Sequence, residues 1–298
     1  MLKKNKLAIF GLIILSTLVL LAIFAPVFAP FDPNAILEDH IASPSMKHIF
    51  GTDDLGRDLL SRLLYGGRVS LSVAVIAVAV SLTIGILFGC LSGYYGGILD
   101  EVIMRFTDIM LSFPTIFLIL AIQSVLTPSI INVMAVIGAT SWMGIARLVR
   151  GEFLALKERE FVEAARAIGC SDLRIIFRHI LPNSLPPVIV AGTLGMAGAI
   201  LTESALSFLG LGVQPPMASW GNMLMDSQSY LLDAPWMAVM PGLVIVLTVL
   251  SLYFVGEGLR EGLNPKERTM TSLSISRSFP CILIITVLSL KPFRTSNF

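Results

Sequence analysis

Long apolar runs without charge constrain the fold of this chain more than any other feature. A helix needs about 20 mainly apolar residues to cross a bilayer, and uncharged runs of that length cover Leu7–Ala29 and Val69–Leu91. Four further apolar runs complete a predicted set of six spans: Ile109–Leu126, Ile130–Ala146, Ser184–Leu211 and Pro235–Val255. The sequence therefore predicts an all-α, polytopic membrane protein.

The composition agrees with a membrane protein and excludes the nucleic-acid-binding class. Charged residues make up 14% of the 298 residues, against roughly 25% in a soluble domain. The net charge of +1 lacks the basic excess that nucleic-acid binding requires. The three cysteines, Cys90, Cys170 and Cys281, are scattered, so they predict neither a disulfide framework nor a metal site.

The first apolar run is open to a second interpretation, a signal peptide, because Lys3, Lys4 and Lys6 precede it. Its apolar core is longer than a signal peptide requires, and Pro26 and Pro30 make a poor cleavage site. We therefore expect it to be a retained helix that anchors the chain.

The positive charges between the spans predict the orientation, since cytoplasmic loops carry an excess of Lys and Arg. With the N-terminus inside, the cytoplasmic side receives most of them: Lys3, Lys4, Lys6, Arg105, Arg147, Arg150, Lys157, Arg159, Arg166, Arg174, Arg178, Arg260, Lys266 and Arg268. The outside receives Lys47, Arg57, Arg62 and Arg68, all in one loop. Both ends of the six-helix unit are therefore expected in the cytoplasm.

One polar segment, EFVEAARAIGCSDLRIIFRHILPN at residues 160–183, interrupts the apolar pattern. Its first half predicts a helix with Phe161, Ala164, Ala165 and Ile168 on one apolar face. Gly169 stands where a helix C-terminus favours a left-handed residue.

The second half of this segment predicts another helix. Ser171 is its expected N-cap, with Asp172 in the first turn. Leu173, Ile176, Phe177 and Ile180 form its apolar face, and Pro182 is expected to end it. Periodicity leaves two interpretations open, a projecting helical hairpin and an amphipathic hairpin that lies on the membrane.

Several motifs in this sequence resemble one family. The pattern Glu163-Ala164-Ala165, then Gly169, then Leu181-Pro182 is similar to the EAA loop of ABC-importer permeases. That pattern usually has Ile where this chain has His179, and the variant resembles the dipeptide, oligopeptide and nickel branch, the DppC/OppC-type permeases. Four other stretches match in the same order: FGTDDLGRDLLSRLLYGGRVSL (50–71), GYYGGILDEVIMRFTDIMLSFP (93–114), ESALSFLGLGVQPPMASWGNML (203–224) and GEGLREGLNPK (256–266).

The resemblance implies a fold, a role and partners. The fold would be six transmembrane helices with a cytoplasmic coupling helix, the EAA loop, that docks on an ATPase. The coupling residues would be Glu163, Ala164, Ala165, Gly169, Ser171, Asp172, Leu181 and Pro182. The expected partners are a second homologous permease, two ABC ATPase subunits and an extracytoplasmic substrate-binding protein, all at the lipid bilayer of a bacterial inner membrane.

The chain itself is not expected to be an enzyme. It has no GxxxxGK[ST] P-loop, so ATP would be bound by the partner subunits and no cofactor is expected here. We divide the chain into an N-terminal helix and extracytoplasmic loop (1–68), a permease core of five helices (69–268) and an atypical tail (269–298). The tail carries an apolar run too short to span a bilayer, and we assign it no role.

The outer loop carries a signature of small and charged residues: Gly51, Asp53, Gly56, Arg57 and Asp58. A tight turn whose carboxylates cap helices and pair with arginines is the favoured interpretation. Contact with the substrate-binding protein and binding of substrate or metal are the alternatives. The sequence places Arg57 among the carboxylates, which disfavours a cation.

Glu203 is the single charged residue within the last four predicted spans. Buried ionisable groups in membranes are costly and often functional. Glu203 is expected either to line the translocation path or to pair with a polar group in the bundle. Gly195 and Gly198 favour close helix packing, with the path lining as the alternative.

The function we expect is one half of the translocation path for di- or oligopeptides. The same machine carrying nickel or a metal chelate is the nearest alternative. An ion-coupled secondary carrier would show internal repeats and broken helices with intramembrane charges, which fits this sequence poorly. A structural scaffold that moves no cargo is the third possibility.

Overall fold

The computed structural model describes residues 5–263, and most of these residues are helical. The α-helices are α1 (Lys6–Ile23), α2 (Ala25–Phe28), α3 (Leu59–Tyr95), α4 (Gly97–Ser112), α5 (Thr115–Val125), α6 (Ile130–Ala139), α7 (Trp142–Leu156), α8 (Glu160–Ala167), α9 (Asp172–Arg174), α10 (Leu181–Phe208), α11 (Trp220–Asp226) and α12 (Trp236–Leu263). A π-helical turn, Ile175–Ile180, joins α9 to α10, and a 3₁₀ turn covers Gln228–Tyr230. The tail 269–298 lies outside the described residues.

Five helical segments are long and apolar enough to cross a membrane, and a bent pair would make six. The five are Lys6–Ile23, Leu59–Tyr95, Ile130–Leu156, Asp172–Phe208 and Trp236–Leu263. They confirm the expected all-helical membrane fold.

The third predicted span, Ile109–Leu126, is not one helix. The chain bends by 85° between α4 and α5. Phe113 is extended, with φ −90° and ψ 132°, because a residue that precedes proline is disfavoured in the α conformation. Pro114 therefore divides the span that hydropathy alone joins. The first predicted span is also divided, at Phe24, into α1 and α2.

Helix α3 is the centre of the bundle and packs on α1, α6, α7 and α10. Three of its glycines, Gly85, Gly89 and Gly93, lie one turn apart and face α7. A Cβ at Gly89 would be 2.6 Å from the Val149 Cβ, and one at Gly93 would be 2.6 Å from the Phe153 Cβ. Such small residues at four-residue spacing let two membrane helices approach closely.

The bundle has two chemically different ends. Residues 160–180 lie at the first, which we call the hairpin end, where the Tyr94 hydroxyl of α3 donates to Asp172. The start of α1 and the end of α12 meet at one place, since Asn5 Nδ2 donates to Glu261 Oε2 at 3.0 Å. At the other, the capped end, residues 29–58 and 212–235 cover the start of α3.

Candidate functional site

The turn between α8 and α9 is a Schellman motif. The Cys170 N–H donates to the Ala165 carbonyl at 3.0 Å, and the Gly169 N–H donates to the Arg166 carbonyl at 2.9 Å. Gly169 has φ +80°, the left-handed conformation that this motif requires and that glycine adopts without strain. The predicted left-handed glycine is confirmed.

Ser171 and Asp172 begin the second half of this hairpin as predicted. Ser171 occupies the N-cap position, although its side chain makes no capping bond, and its carbonyl accepts from the Ile175 N–H at 3.0 Å. Asp172 Oδ1 accepts from the Tyr94 hydroxyl at 2.7 Å. This carboxylate, which the sequence placed only beside a helix N-terminus, thus fastens the hairpin to α3.

The buried face of α8 differs from the predicted one. Val162 and Ala165 are buried, whereas Phe161 is 40% exposed and Ile168 is 81% exposed. Ala164 is exposed and Ala165 is not. The inward face is turned by about one residue, because Val162 and Ala165 join the buried cluster that the π turn and α7 share.

The second half of the hairpin also departs from prediction. Ile176 and Ile180 are buried together with Ile175, but Leu173 and Phe177 are each 64% exposed. Pro182 does not end the helix.

The π turn explains how the chain passes through Pro182. Proline lacks an N–H and clashes with the carbonyl four residues earlier in an α-helix, and the wider π turn at 175–180 precedes it. Leu181 and Pro182 therefore begin α10, and residues 172–208 form one continuous rod.

The outward side of the hairpin combines large apolar side chains with charges. We call it the hairpin surface, and its exposed apolar members are Phe161, Ala164, Ile168, Leu173 and Phe177. Exposed charged residues surround them: Glu160, Glu163, Arg166, Arg174 and Arg178. Of the predicted coupling residues, Glu163, Ala164, Gly169, Ser171, Asp172 and Pro182 are exposed, Leu181 is half-buried, and Ala165 faces the bundle.

The outer-loop signature is a buried turn at the capped end. Gly51 and Gly56 have φ +80° and +78°, the left-handed conformation that the predicted tight turn requires. Asp53 Oδ1 accepts from the Arg57 N–H at 2.8 Å, and its Oδ2 accepts from Arg57 Nε at 2.7 Å. Asp58 caps α3 by accepting from the Ser61 N–H at 2.8 Å.

Two partners of this turn were missed by sequence reasoning. His48 Nδ1 lies 2.9 Å from Asp58 Oδ1, and both side chains are buried. Asp226 lies 3.4 Å from Arg57 and 3.7 Å from Arg62. Burial raises the pKa of Asp226, against the opposing effect of the two guanidinium groups. No group of three potential ligands for a metal occurs within residues 5–263.

Glu203 is enclosed inside the subunit and is fully buried. Its Oε2 accepts from the Ser70 hydroxyl at 3.1 Å, and its Oε1 accepts from the Ser207 hydroxyl at 2.7 Å. The same hydroxyls accept from the Trp220 and Val213 N–H groups. Glu203 therefore joins α3, α10 and the capped-end loop, as the pairing alternative predicts. Ser70 is 133 residues away in sequence, so no local signal reveals this pair.

Gly195 and Gly198 lie on an exposed side of α10. Gly195 lines a cavity of about 240 Å³ between α3, α6, α7 and α10. A Cβ at Gly195 would be 3.5 Å from Val78, and one at Gly198 would meet no atom within 4 Å. Close packing therefore explains neither glycine fully.

Two family models match the chain. Residues 85–269 match the inner membrane component of binding-protein-dependent transport systems, and residues 1–45 match the N-terminal transmembrane domain of oligopeptide transport permease C. The chain belongs to this family of transport permeases. Its members are the membrane components of transporters and are not known enzymes.

Curated relatives agree with this membership, and one solved structure shares the fold. The chain is 47% identical to the dipeptide transport system permease protein DppC of Alkalihalophilus pseudofirmus, over 90% of this chain and 88% of that protein. It is 43% identical to the oligopeptide transport system permease protein OppC of Haemophilus influenzae, over 89% and 86%. A chain of the inward-facing MetNI methionine ABC transporter shares the fold, with TM-score 0.55 and 19% identity over 68% of this chain and 96% of that one.

Proposed function

We propose that this protein is one of two transmembrane subunits of an ATP-driven importer and forms half of a translocation path for di- or oligopeptides. Its permease relatives are named for dipeptide and oligopeptide transport. The observation that carries the proposal is the hairpin surface, which presents Phe161, Ile168, Leu173 and Phe177 to the exterior of the bundle. Exposed apolar clusters rimmed by charge mark sites of protein association.

The hairpin is built to transmit force. Its inner side is anchored by Ile175, Ile176 and Ile180 in the bundle, and by Asp172 on α3. The C-terminal end of the hairpin continues through the π turn directly into α10. A rigid-body movement of a docked ATPase would therefore move a rod that crosses the membrane. The charges around the surface would orient docking more than strengthen it.

The proposed assembly adds a second homologous permease, two ABC ATPase subunits that bind the ATP, and a substrate-binding protein at the capped end. The hairpin end would be cytoplasmic and the capped end extracytoplasmic. The contact between Asn5 and Glu261 supports this placement, because it brings both ends of the helical unit to one side. The division at residues 68 and 268 is proposed with it.

The translocation path is proposed along the exposed side of α10 that carries Gly195 and Gly198. These residues leave space there, whereas Glu203 is enclosed. Labelling Ser43→Cys with an impermeant thiol reagent in intact cells tests the orientation, since Ser43 is exposed at the capped end. Protection of that cysteine, with labelling of Cys170, would contradict it.

Docking is tested with Ala164→Glu, which places a charge and bulk on the hairpin surface. Ser43→Glu is the matched control, because it adds the same charge at an exposed capped-end site. In proteoliposomes that contain the second permease and the ATPases, with the binding protein added, we expect Ala164→Glu to lose ATPase association and ATP-dependent dipeptide uptake. Ser43→Glu should keep its ATPase association. Equal behaviour of the two variants would favour a hairpin that lies on the membrane.

The same assay separates the alternative functions. Uptake of Ni²⁺ or its chelate without peptide uptake would show that the cargo is the metal and not a peptide. Uptake that persists without ATP while an ion gradient is kept would indicate a secondary carrier. A complex that moves no cargo would indicate a scaffold.

A further inference from the structure

A cavity of about 580 Å³ lies between α1, α3, α10 and α12. Its wall is apolar, formed by residues such as Leu15, Val19, Leu71, Met196 and Ile200, with Arg68 and Ser72 as its polar exceptions. The volume is within the range of small-molecule sites, about 300–1,000 Å³. Neither the hairpin surface nor the exposed side of α10 around Gly198 forms part of it.

The cavity is nearly as long as one lipid leaflet is deep. Along α1 it runs from Ile23 to Leu15, and along α3 from Arg68 to Ile76. Eight residues of helix correspond to ~12 Å, and one leaflet of hydrocarbon is about 15 Å deep, half of a 30 Å core. On α3 the cavity begins at Arg68, and the uncharged run begins at the next residue, Val69.

Arg68 differs from the other arginines at the capped end. Arg57 and Arg62 are buried and paired with Asp53 and Asp226. Arg68 is exposed, and within residues 5–263 no carboxylate forms an ion pair with it. Its guanidinium lies 5.8 Å from the centre of the Tyr65 ring. An unpaired cation at the mouth of an apolar cavity calls for an anion that has an apolar chain.

A second, smaller cavity of about 270 Å³ shares Arg68 with the first. It opens beside Asn34, Tyr65 and Met217 at the capped end. The guanidinium thus stands between a polar recess outside the membrane and an apolar one within it. A phospholipid has the same arrangement, with its phosphate headgroup outside the hydrocarbon and its acyl chain within it.

We propose that this groove is a binding site for a phospholipid of the capped-end leaflet. One acyl chain fills the apolar cavity, and the Arg68 guanidinium binds the phosphate through the paired N–H groups that suit this anion. The chain would act as a wedge between α1 and the rest of the bundle. Among the five long helices, α1 has the smallest buried share of its most apolar 18 residues. A lipid chain in the groove would therefore add most to the packing of this helix. The inference does not depend on the proposed cargo.

The test uses the full chain, with its co-purifying subunits, in vesicles that contain phosphatidylglycerol with a photoactivatable acyl chain. We expect the label on 15–23 and 71–76. Arg68→Gln should lower this labelling roughly tenfold, as expected for loss of a charge-assisted hydrogen bond. Val19→Trp should lower it similarly by filling the cavity. Arg105→Gln, at an exposed site on α4, and Leu20→Trp, on the exposed side of α1, are the matched controls and should leave it unchanged.

Two further arms identify the ligand. Diacylglycerol with the same photoactivatable chain should label the wild type about as weakly as phosphatidylglycerol labels Arg68→Gln, and inorganic phosphate should not compete. Equal labelling by both lipids, or labelling unaffected by Arg68→Gln, would overturn the proposal. So would a cross-link from Val19→Cys to the second permease, since a protein would then cover the groove. Arg68→Gln lies at an exposed site, so it remains informative if Val19→Trp fails to fold.

Discussion

The buried turn of the capped end and the hairpin surface use charge and apolar residues in opposite ways. At the capped end, Asp53, Arg57 and Arg62 are buried and satisfy one another. At the hairpin end, charges are exposed, and large apolar side chains such as Phe177 and Ile168 are exposed with them. The buried turn, whose charges are internally paired, is complete within the subunit, whereas the hairpin surface exposes its apolar residues to a partner.

This difference predicts where each kind of damage will appear. Substitutions in the capped-end turn should act on the stability of the subunit, because they leave buried groups without partners. Substitutions on the hairpin surface should act on association and leave the subunit folded. A glycine from each end and two alanines of α8 offer matched pairs to separate these effects.

The largest effect is expected for Asp53→Ala. It leaves Arg57 and Arg62 buried with the more distant Asp226 and Asp54 as their remaining carboxylates. Breaking one side of a buried charge network costs about 3–5 kcal/mol. Thermal unfolding of the purified protein in nanodiscs should show a large drop. Asp233→Ala is the control, because Asp233 is exposed at the capped end and its removal should leave the melting temperature unchanged. Unchanged stability of Asp53→Ala, with weaker capture of the binding protein, would make the turn a docking surface instead.

A smaller effect is expected when the left-handed glycines of the two ends are compared. Both Gly56 and Gly169 have positive φ, so a side chain costs about 1–3 kcal/mol of backbone strain at each. A Cβ at Gly56 would also clash with the Leu37 carbonyl, whereas at Gly169 it would meet no atom within 4 Å. Gly56→Ala should therefore destabilise the protein more than Gly169→Ala.

The function of Gly169 is then separable from its strain. Gly169→Val should leave the membrane bundle folded but lower ATPase coupling, because α8 is displaced relative to α10. Gly169→Asn should restore part of that coupling, since Asn tolerates the left-handed conformation. Identical melting temperatures for Gly56→Ala and Gly169→Ala would show that the clash is relieved elsewhere.

The sequence predicted the features that depend on local chemistry. Uncharged length identified the apolar segments, and the position of Gly169 after a short helix identified its left-handed turn. Pro114 carried a signal for the break between α4 and α5, because proline restricts the preceding residue, but hydropathy masked it.

Features that depend on distant partners were not accessible in this way. The buried face of α8 is decided by its packing on the π turn and on the cluster around it, whereas the periodic pattern of α8 alone favoured Phe161 and Ile168. The ion pairs of Asp226 join residues 164 or more positions apart. The helix continues through Pro182 because a π turn precedes it, and the sequence of that turn carries no signal that predicts it.

A local effect is expected from Ala165→Glu, in contrast to its exposed neighbour Ala164. Ala165 is buried against the bundle, so a carboxylate there must either enter an apolar cluster or displace α8. Limited proteolysis should cut Ala165→Glu near residues 157–170 faster than the wild type, while Ala164→Glu should resist as the wild type does. Equal cleavage of the two variants would mean that α8 does not hold its packed position in the membrane.

The smallest effect is expected for Glu203→Gln. The amide has nearly the shape of the carboxylate, and its oxygen can still accept from the Ser70 or Ser207 hydroxyl. If Glu203 serves only to join α3, α10 and the capped-end loop, Glu203→Gln should keep both the melting temperature and peptide uptake close to those of the wild type. Glu203→Leu, which leaves both hydroxyls and the loop N–H groups they bind without the carboxylate, should lower the melting temperature, because buried polar groups that lose a partner cost about 1–3 kcal/mol each. Melting curves and uptake measured on the same preparations distinguish the roles. A Glu203→Gln protein that melts normally but no longer transports would place this carboxylate in the translocation path, and the capped end would then not be complete within the subunit.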